Sequence, residues 1–302
     1  MTPNLDDLYA LLAVVRSGGF REAARGAGGS ASTFSESVRR LEKQLGVRLL
    51  NRSTRSIALT EAGARLMERL TPALTEVEAA IDVVNQFRDR PTGWLRLNVP
   101  VAAVRLVLPS ILPPFLAAYP DIRVEVVAQE SLVDILAQGF DAGIRYEERL
   151  EKDMIAVPIG PRRQRAAAAA SPAYLAKFGR PAHPRELLEH HCLRARFSSG
   201  AMLAWEFERD GEVVNIEPSG QLVVGIGETT QLSVDVAAQG TGIVYLFEDW
   251  LQPYFDSGAL EPVLKEWWPS FGGPYLYYPS RSYLPAPLRA FVDFVVSSRD
   301  AA

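Results

Sequence analysis

The sequence predicts an α/β protein in three parts: a small helical module with a basic hairpin, one long helix, and a larger domain of alternating strands and helices. Three observations lead to this prediction. Apolar residues recur at helical spacing through residue 45, a heptad pattern begins at residue 66, and strand and helix patterns alternate from residue 94. With 302 residues, 48% hydrophobic and 23% charged, the chain has the length of two domains and an ordinary globular composition.

Three helices are predicted in the first module. The first covers residues 4–16, with Asn4 as its N-cap. Its apolar stripe consists of Leu5, Leu8, Leu11, Leu12 and Val15. A second short helix begins at Phe20 and ends in the turn Ala27-Gly28-Gly29. Ser30 can cap the third helix, whose buried face is predicted to be Phe34, Val38, Leu41 and Leu45.

The third helix presents a polar face that suits contact with DNA. Gly46 ends this helix as a C-cap glycine would. Its exposed face is predicted to carry Ser32, Thr33, Ser35, Glu36, Arg39, Arg40 and Lys43. Two helices joined by a glycine turn, the second with this polar face, form the pattern of a helix-turn-helix whose second helix enters a major groove.

A basic hairpin follows the third helix. Two short strands, at residues 47–50 and 56–59, flank a polar tip that contains Arg52, Thr54 and Arg55. Six basic residues and one acid lie between residues 39 and 55, although the whole chain has a net charge of −4. A local basic patch on an acidic protein indicates a contact limited to one DNA site, with the hairpin as a wing against phosphates or the minor groove.

These motifs resemble a known family. The runs LDDLYALLAVVRSGGFREAAR and SVRRLEKQLGVRLLNRSTRSIALTEAG closely resemble the DNA-binding region of LysR-type transcriptional regulators. The likeness continues through nearly the whole chain and is strongest to a branch with SPAYL and YPSR elements, here at residues 171–175 and 278–281. The third helix departs from the usual family residues at Gly29, Phe34, Glu36 and Ser37, which affects the operator sequence that it reads.

The long helix is predicted from Thr60, its N-cap, to about residue 88, with Pro72 as a kink or an irregularity near its first turns. A heptad seam runs along it: Leu66, Leu70, Ala73, Val77, Ala80, Val84 and Phe87. Packing against its own domain is the alternative; we favour a dimer seam. The resemblance also implies that this helix pairs two chains, which a palindromic site would match.

Beyond residue 90 the pattern predicts two lobes. Strands at 94–99, 122–128 and 142–146 alternate with helices at 103–119 and 132–138, which indicates a parallel sheet. A strand at 154–169 would cross into the second lobe, where strands at 222–224 and 243–246 flank a helix at 228–239. A strand at 274–278 and a helix at 285–297 would return. The resemblance implies the same two-lobed fold, like a periplasmic binding protein.

The predicted domains are therefore a winged helix-turn-helix (1–59), a linker helix (60–90) and an effector-binding domain (91–302). Lobe I would contain residues 91–161 and 270–302, and lobe II residues 162–269. Loops after the strands should line a cleft between the lobes. The candidate effector-binding residues are Pro100, Val101, Ala102, Gln129, Arg145, Tyr146, Phe197, Ser198, Gly227, Thr229 and Phe247.

The cleft residues suggest the character of the effector. Members of this family often have a Ser or Thr after the first regulatory strand that binds an effector carboxylate, but this chain has Ala102 and Ala103. Helix N-terminal amides could still bind an anion. Together with Tyr146, Phe197 and Phe247, this favours an apolar or aromatic effector. For Arg145 an ion-pair role and an effector-binding role are equally favoured.

Little in the sequence favours catalysis. The single cysteine, Cys192, is predicted to be a small buried residue, and one cysteine excludes an intrachain disulfide. The adjacent His190 and His191 would point apart on a helix, so we expect neither a metal nor another cofactor. A nucleophile elbow and a P-loop are both missing. We expect no catalytic residues and no enzyme activity.

The leading hypothesis is a cytoplasmic, ligand-responsive transcription factor that binds a palindromic promoter site. It would act as a homodimer or a homotetramer, with RNA polymerase as a further candidate partner and no membrane contact. The alternative is a cytosolic solute-binding or sensory protein whose first module has impaired DNA binding.

Overall fold

The computed structural model describes residues 3–27, 30–52, 57–85, 91–130, 135, 138–146, 154–280 and 284–300. The chain separates into two compact units. The first contains residues 1–89, 134–140 and 283–285, and the second contains residues 90–133, 141–282 and 286–302. Within the described residues, every helix is too short or too polar to span a membrane.

Three helices form the core of the first unit: α1 (Leu5–Arg16), α2 (Phe20–Ala27) and α3 (Ala31–Leu45). This confirms the three predicted helices. Asn4 caps α1, because its side chain accepts a hydrogen bond from the Asp6 amide at 3.2 Å. One hydrophobic cluster joins these helices and contains the completely buried residues Leu11, Val14, Val38 and Leu41.

The C-terminus of α3 requires one correction. Leu45, predicted on the buried face, is 41% exposed. It is the last residue of the helix, and Gly46 then turns the chain away with a left-handed φ of 68°. Gly46 acts as the predicted C-cap.

The hairpin consists of β1 (Leu50–Arg52) and β2 (Ile57–Leu59), which pair antiparallel with Leu50 opposite Leu59. The prediction of a strand over residues 47–50 was therefore wrong. The amides of Leu49 and Leu50 donate to the Glu42 carboxylate of α3 at 2.9 and 3.1 Å, so the chain is tied to the helix before it pairs as a strand. Residues 53–56, at the predicted tip, lie outside the described residues.

The long helix α4 spans Glu61–Asn85 and continues through Pro72. Thr60 caps it as predicted, since its hydroxyl accepts a hydrogen bond from the Gly63 amide at 3.0 Å. The same hydroxyl donates to the Arg48 carbonyl at 2.8 Å, which ties the start of α4 to the base of the hairpin.

The heptad seam of α4 is divided between two environments. Leu66 and Leu70 pack into the hydrophobic cluster of the first unit, so the dimer-seam prediction was wrong for these two residues. Further along, Ala73 is exposed and Val77 is 39% exposed. The side chains of Ala80, Val84 and Phe87 lie outside the described residues.

The second unit contains the remaining strands and helices. In chain order they are β3 (Gly93–Val99), α5 (Val101–Leu106), α6 (Leu108–Ala118), β4 (Ile122–Ala128), β5 (Ala142–Tyr146), β6 (Met154–Pro158), β7 (Arg163–Ala170), α7 (Pro172–Phe178), β8 (Arg194–Arg196), β9 (Trp205–Arg209), β10 (Glu212–Ile216), β11 (Val223–Gly225), α8 (Thr230–Ala238), β12 (Val244–Phe247), α9 (Glu248–Asp256), β13 (Glu261–Val263), β14 (Ser270–Gly272), β15 (Pro274–Pro279) and α10 (Ala286–Asp300).

Lobe I is built on a five-stranded sheet in the order β4-β3-β5-β15-β6, with α5, α6 and α10. Strands β3, β4 and β5 are parallel, as predicted. Strand β15, whose direction was not predicted, runs antiparallel to both β5 and β6, so the complete sheet is mixed. Helices α6 and α10 meet through Phe115 and Phe291, whose ring centroids are 5.0 Å apart.

Lobe II is organised around β7, which pairs antiparallel with β12, β13 and β14. Four consecutive alanines of β7, residues 167–170, are completely buried. The lobe also holds the parallel pair β8–β11, the hairpin β9–β10 and helices α7–α9.

Two long predicted elements are in fact divided. The strand predicted over residues 154–169 is broken at residues 159–162, where Gly160 adopts a φ of 72°. The helix predicted over residues 103–119 begins at Val101 and is interrupted at Val107. The helix predicted over residues 132–138 falls largely outside the described residues. The other predicted strands and helices of this unit occur with bounds shifted by a few residues at most.

Candidate nucleic-acid interface and ligand cleft

Helix α3 presents a polar row to solvent. The Ser30 hydroxyl caps the helix by accepting a hydrogen bond from the Thr33 amide at 3.1 Å, and it also bonds the Thr33 hydroxyl at 2.8 Å. Ser32, Thr33, Glu36 and Arg39 are exposed, and Ser35 is half-buried. Side chains at these positions lie where a recognition helix would meet base edges and phosphates.

Arg40 has a structural partner inside the first unit. Its guanidinium donates to both carboxylate oxygens of Asp7 in α1, with Nη2–Oδ1 at 2.6 Å and Nε–Oδ2 at 3.3 Å. The Asp7 side chain is only 1% exposed, while that of Arg40 is 55% exposed. The bond to Asp7 raises the pKa of Arg40. Arg40 thus locks α1 to α3 and leaves Arg39 as the better probe of DNA contact.

Ser37 lies on the inner side of α3. It is buried, and its hydroxyl accepts a hydrogen bond from Arg40 Nη2 at 2.8 Å. The departure from the family pattern at Ser37 therefore concerns the packing of α3 on α1. Glu36, in contrast, is exposed on the polar row of α3. Gly29 lies outside the described residues, and Phe34 packs at the edge of the hydrophobic cluster.

The wing is held from its base. The Glu42 carboxylate accepts hydrogen bonds from the Leu49 and Leu50 amides, so the hairpin is fixed to α3. Arg52 ends β1, opposite Ile57. Thr54 and Arg55 lie outside the described residues, and their contact with DNA stays a prediction.

The two lobes of the second unit meet at helix α5. Val101 and Ala102, in the first turn of α5 directly after β3, pack with Phe247 against a hydrophobic cluster of lobe II that includes the buried Trp250. Arg105 of the same helix stacks on the Trp250 ring at 4.6 Å and hydrogen-bonds the Gln231 side chain. The loop predicted to line the cleft therefore lies at the contact between the lobes.

Glu130 joins α5 to lobe II. Its Oε1 atom accepts a hydrogen bond from the Val101 amide at 2.8 Å, at the N-terminus of α5. On the other side it lies against Gly227, where an added β-carbon would come within 3.0 Å of Glu130 Cγ. Gly227 also has a φ of 115°, so glycine is needed there for both space and conformation.

Three aromatic rings, those of Tyr146, Phe247 and Phe271, lie close together near this contact. The rings of Tyr146 and Phe247 have centroids 5.3 Å apart, and those of Phe247 and Phe271 are 5.8 Å apart. Burial raises the pKa of the Tyr146 phenol, and the nearby carboxylates of Glu130 and Asp249 raise it further. Tyr146 therefore stays neutral at physiological pH and can donate a hydrogen bond.

Arg145 belongs to a buried polar network of lobe I. Its guanidinium donates to the Asn98 side-chain oxygen at 2.5 Å and to the Ile144 carbonyl at 2.7 Å. The Asn98 amide in turn donates to Gln129 at 3.0 Å. The network joins three strands or strand ends, which favours the structural alternative for Arg145; contact with an effector stays a prediction for Arg145 and Gln129.

Other predicted cleft residues are spread more widely. Pro100 is buried at the start of α5. Phe197 and Ser198 lie in an exposed turn after β8, in which the Phe197 amide donates to the Ala201 carbonyl at 2.9 Å. Thr229 uses its hydroxyl to donate to the Gly225 carbonyl at 2.7 Å. Their role in effector binding stays a prediction.

Gln164, on β7, is a residue that sequence reasoning missed. It is 3% exposed, and its amide group lies beside the buried Tyr146 hydroxyl. The hydrogen bond between these two side chains lowers the Tyr146 pKa and so offsets part of the rise that burial causes. A glutamine between two arginines, ahead of five alanines, was the available signal.

Other side chains that could be reactive are buried or hydrogen-bonded within the fold. Cys192 is completely buried, and burial raises its pKa to about 12. The Tyr174 hydroxyl bonds His190 Nδ1 at 3.1 Å and accepts the His191 amide at 3.0 Å. In the part of the chain that the structure describes, no three His, Cys, Asp or Glu residues form a group suited to a metal ion.

Comparison with known families decides the relationship. A family model described as the LysR substrate binding domain matches residues 88–299, and one described as a bacterial regulatory helix-turn-helix protein of the lysR family matches residues 5–64. The chain belongs to the LysR family of transcriptional regulators. It is a DNA-binding transcriptional regulator with an effector-binding domain, and the comparisons give no support to the alternative of a solute-binding protein with impaired DNA binding.

Individual relatives are similar to this chain over nearly the whole length of both proteins. The chain is 42% identical to an uncharacterized HTH-type transcriptional regulator, YcaN, of Escherichia coli K12, over 98% of this chain and 95% of the relative. It resembles the structure of CrgA, a LysR-type transcriptional regulator from Neisseria meningitidis, with 30% identity, a TM-score of 0.58 and coverage of 98% and 99%. It also resembles the Vibrio cholerae virulence activator AphB, with 25% identity, a TM-score of 0.65 and coverage of 97% and 99%.

Proposed function

We propose that this LysR-type regulator binds a dyad-symmetric promoter site as a homodimer joined along α4, and that two dimers form a homotetramer. The single observation that best supports this is the divided seam of α4. Its first apolar residues are used within the DNA-binding unit, while Ala73 and Val77 stay exposed further along the same helix. A coiled-coil partner would cover this second part.

In this proposal the recognition surface combines α3 with the wing. The residues expected to contact DNA are Ser30, Ser32, Thr33, Ser35, Glu36, Arg39, Arg40, Arg52, Thr54 and Arg55. Arg39 and Arg52 would neutralise phosphates or read guanine edges, and Glu36 could accept a hydrogen bond from a cytosine amino group. Because Arg40 also holds Asp7, its substitution would affect folding as well as binding.

The effector would bind between the lobes and shift an equilibrium between two arrangements of the dimer. RNA polymerase is a further candidate partner. We place the protein in the cytoplasm, expect the cleft to bind its ligand without transforming it, and assign the chain to the branch with the SPAYL and YPSR elements. Three relatives that are named as transcriptional regulators support the cytoplasmic location and the binding of a ligand without its transformation.

A mobility-shift series tests DNA binding directly. Full-length protein is titrated onto labelled DNA from upstream of its own gene, with unlabelled copies of the same DNA and of a scrambled sequence as competitors. We expect a complex that only the specific competitor removes, and a footprint with two-fold symmetry. A complex that both competitors remove equally would contradict sequence-specific binding.

The dimer seam is tested by Val77→Glu. A carboxylate in an apolar helix pair is unfavourable, so we expect sedimentation velocity to show a shift from dimer to monomer. Ala64→Glu is the matched control, because Ala64 is exposed on the same helix but outside the seam. An unchanged sedimentation coefficient for the Val77 variant would contradict a dimer joined along α4.

A further inference from the structure

We propose that Arg105 is a latch that holds the two lobes of the unliganded protein together, so that the cleft opens only when this side chain releases lobe II. Arg105 lies on α5 of lobe I, and the two groups that hold it, Trp250 and Gln231, lie on α9 and α8 of lobe II. The proposed function places the effector between the lobes but leaves open how the lobes are arranged without it.

The side of α5 that faces lobe II is largely apolar. Val101, Ala102 and Leu106 pack against the hydrophobic cluster of lobe II. Arg105 lies one turn after Val101, and residues four apart share one face of a helix. Its charged group therefore extends from the apolar contact between the lobes to partners in lobe II.

Trp250 is the first partner of the latch. The guanidinium carbon of Arg105 lies 4.6 Å from the centroid of the Trp250 ring. Trp250 is 3% exposed and belongs to the hydrophobic cluster of lobe II, so packing fixes the position of its ring. A guanidinium over the face of a tryptophan is attracted by the negative charge of the ring face. Because Arg105 is exposed, it can leave this ring without unfolding either lobe.

Gln231 is the second partner, and lobe II fixes its orientation. Its side-chain oxygen accepts hydrogen bonds from Arg105 Nη1 and from Trp250 Nε1, the latter at 3.1 Å. Its side-chain nitrogen donates to Asp235 Oδ1 and to the Tyr254 hydroxyl, both at 2.7 Å. The bonds from lobe II thus aim the amide oxygen at Arg105, which reduces the entropy that is lost when the latch forms.

These contacts are strong enough to control opening. A cation–π contact at an exposed site and a hydrogen bond from a charged donor each shift an equilibrium severalfold. Arg105 makes one contact of each kind with lobe II. We therefore expect removal of its side chain to raise the population of open protein about tenfold.

A thiol placed in the contact between the lobes measures this opening. Ala102 is half-buried and packs against lobe II, so Ala102→Cys places a small reactive group there. The native Cys192 is completely buried, and unmodified protein gives its background labelling rate. The full-length protein is labelled with a bulky maleimide in the absence of any ligand. The labelling rate then reports how often the lobes separate, because the reagent needs space that the closed contact lacks.

Two arginine substitutions are compared in this Ala102→Cys protein. Arg105→Ala should raise the labelling rate about tenfold. Arg123→Ala is the matched control, because Arg123 also stacks on a tryptophan, Trp94 at 5.6 Å, but both of these residues belong to lobe I. It should leave the labelling rate within about twofold of the reference. Circular dichroism establishes that each variant is folded before labelling.

Trp250→Phe tests the latch from the other lobe. Phenylalanine keeps an aromatic ring in the cluster, but it attracts a cation less strongly and lacks the Nε1–H that bonds Gln231. When Arg105 is present, this substitution should raise the labelling rate about threefold. In combination with Arg105→Ala it should add less than about 1.5-fold, because Trp250 acts on the lobes through Arg105.

Three results would overturn the latch. One is the same labelling rate for Arg105→Ala and Arg123→Ala. Another is an equal increase from Trp250→Phe with and without Arg105, since the two residues would then act independently and the effect of Arg105→Ala would be a local loss of shielding. The third is labelling of the Ala102→Cys protein as fast in the native state as in urea, which would mean that the unliganded lobes do not stay together.

Discussion

Glu42 should determine the stability of the DNA-binding unit, because it fixes the wing to the recognition helix. In Glu42→Ala the amides of Leu49 and Leu50 lose their acceptor, and these residues are only 1% and 2% exposed. A hydrogen bond to a charged group contributes about 1.5–3 kcal/mol, so losing two partly buried bonds should cost about 2–4 kcal/mol. For a unit of this size that corresponds to a fall in melting temperature of about 10 °C or more.

The two units can be followed separately. All five tryptophans lie beyond residue 93, so tryptophan fluorescence reports the second unit and circular dichroism at 222 nm reports both. We expect Glu42→Ala to lower only the transition without fluorescence change. Glu36→Ala, an exposed carboxylate on the same helix, is the control and should shift that transition by less than about 2 °C. Equal melting temperatures for the two variants would refute the reasoning.

Three further predictions concern partners inside the fold. Arg40→Ala should destabilise the first unit by leaving the buried Asp7 unpaired, and Asp7→Asn in the same chain should restore part of the loss in thermal unfolding; no rescue would contradict the pairing. Cys192 should resist iodoacetamide until the chain unfolds, because burial raises its pKa to about 12, and fast labelling of native protein would contradict this. Burial lowers the pKa of His190 in the folded protein, so neutral His190 stabilises the fold above its unfolded pKa, and this stabilisation is lost as the pH falls below about 6.5. His190→Gln should therefore reduce the fall in the free energy of unfolding at acid pH, measured by urea unfolding. The same pH dependence in the variant and in wild type would contradict this prediction.

The sequence predicted the local features of the first unit well. Asn4, Ser30, Gly46 and Thr60 have the capping roles assigned to them, because a cap depends on residues only two or three positions away. The partner of Arg40 was not predicted, since Asp7 lies on another helix and the approach of two helices is not encoded in the spacing of either one.

Longer-range features were harder to predict for the same reason. Alternating strands and helices indicated a sheet but not that β15 returns antiparallel, because direction depends on where the chain re-enters the lobe. The heptad pattern of α4 could not distinguish a partner helix from the cluster that receives Leu70. Gln164 looked like an ordinary strand residue, since its burial beside Tyr146, which lies on another strand, arises only when the two lobes assemble.

The salt dependence of DNA binding tests the central claim most directly. The affinity of the full-length protein for its upstream site is measured by fluorescence anisotropy across a series of salt concentrations. Arg39→Ala should weaken binding and reduce the slope of log K against log salt by about one, because one phosphate contact is removed. Arg185→Ala, an exposed arginine of lobe II, should leave both unchanged. Identical affinities and slopes for the two variants would contradict recognition of DNA by α3.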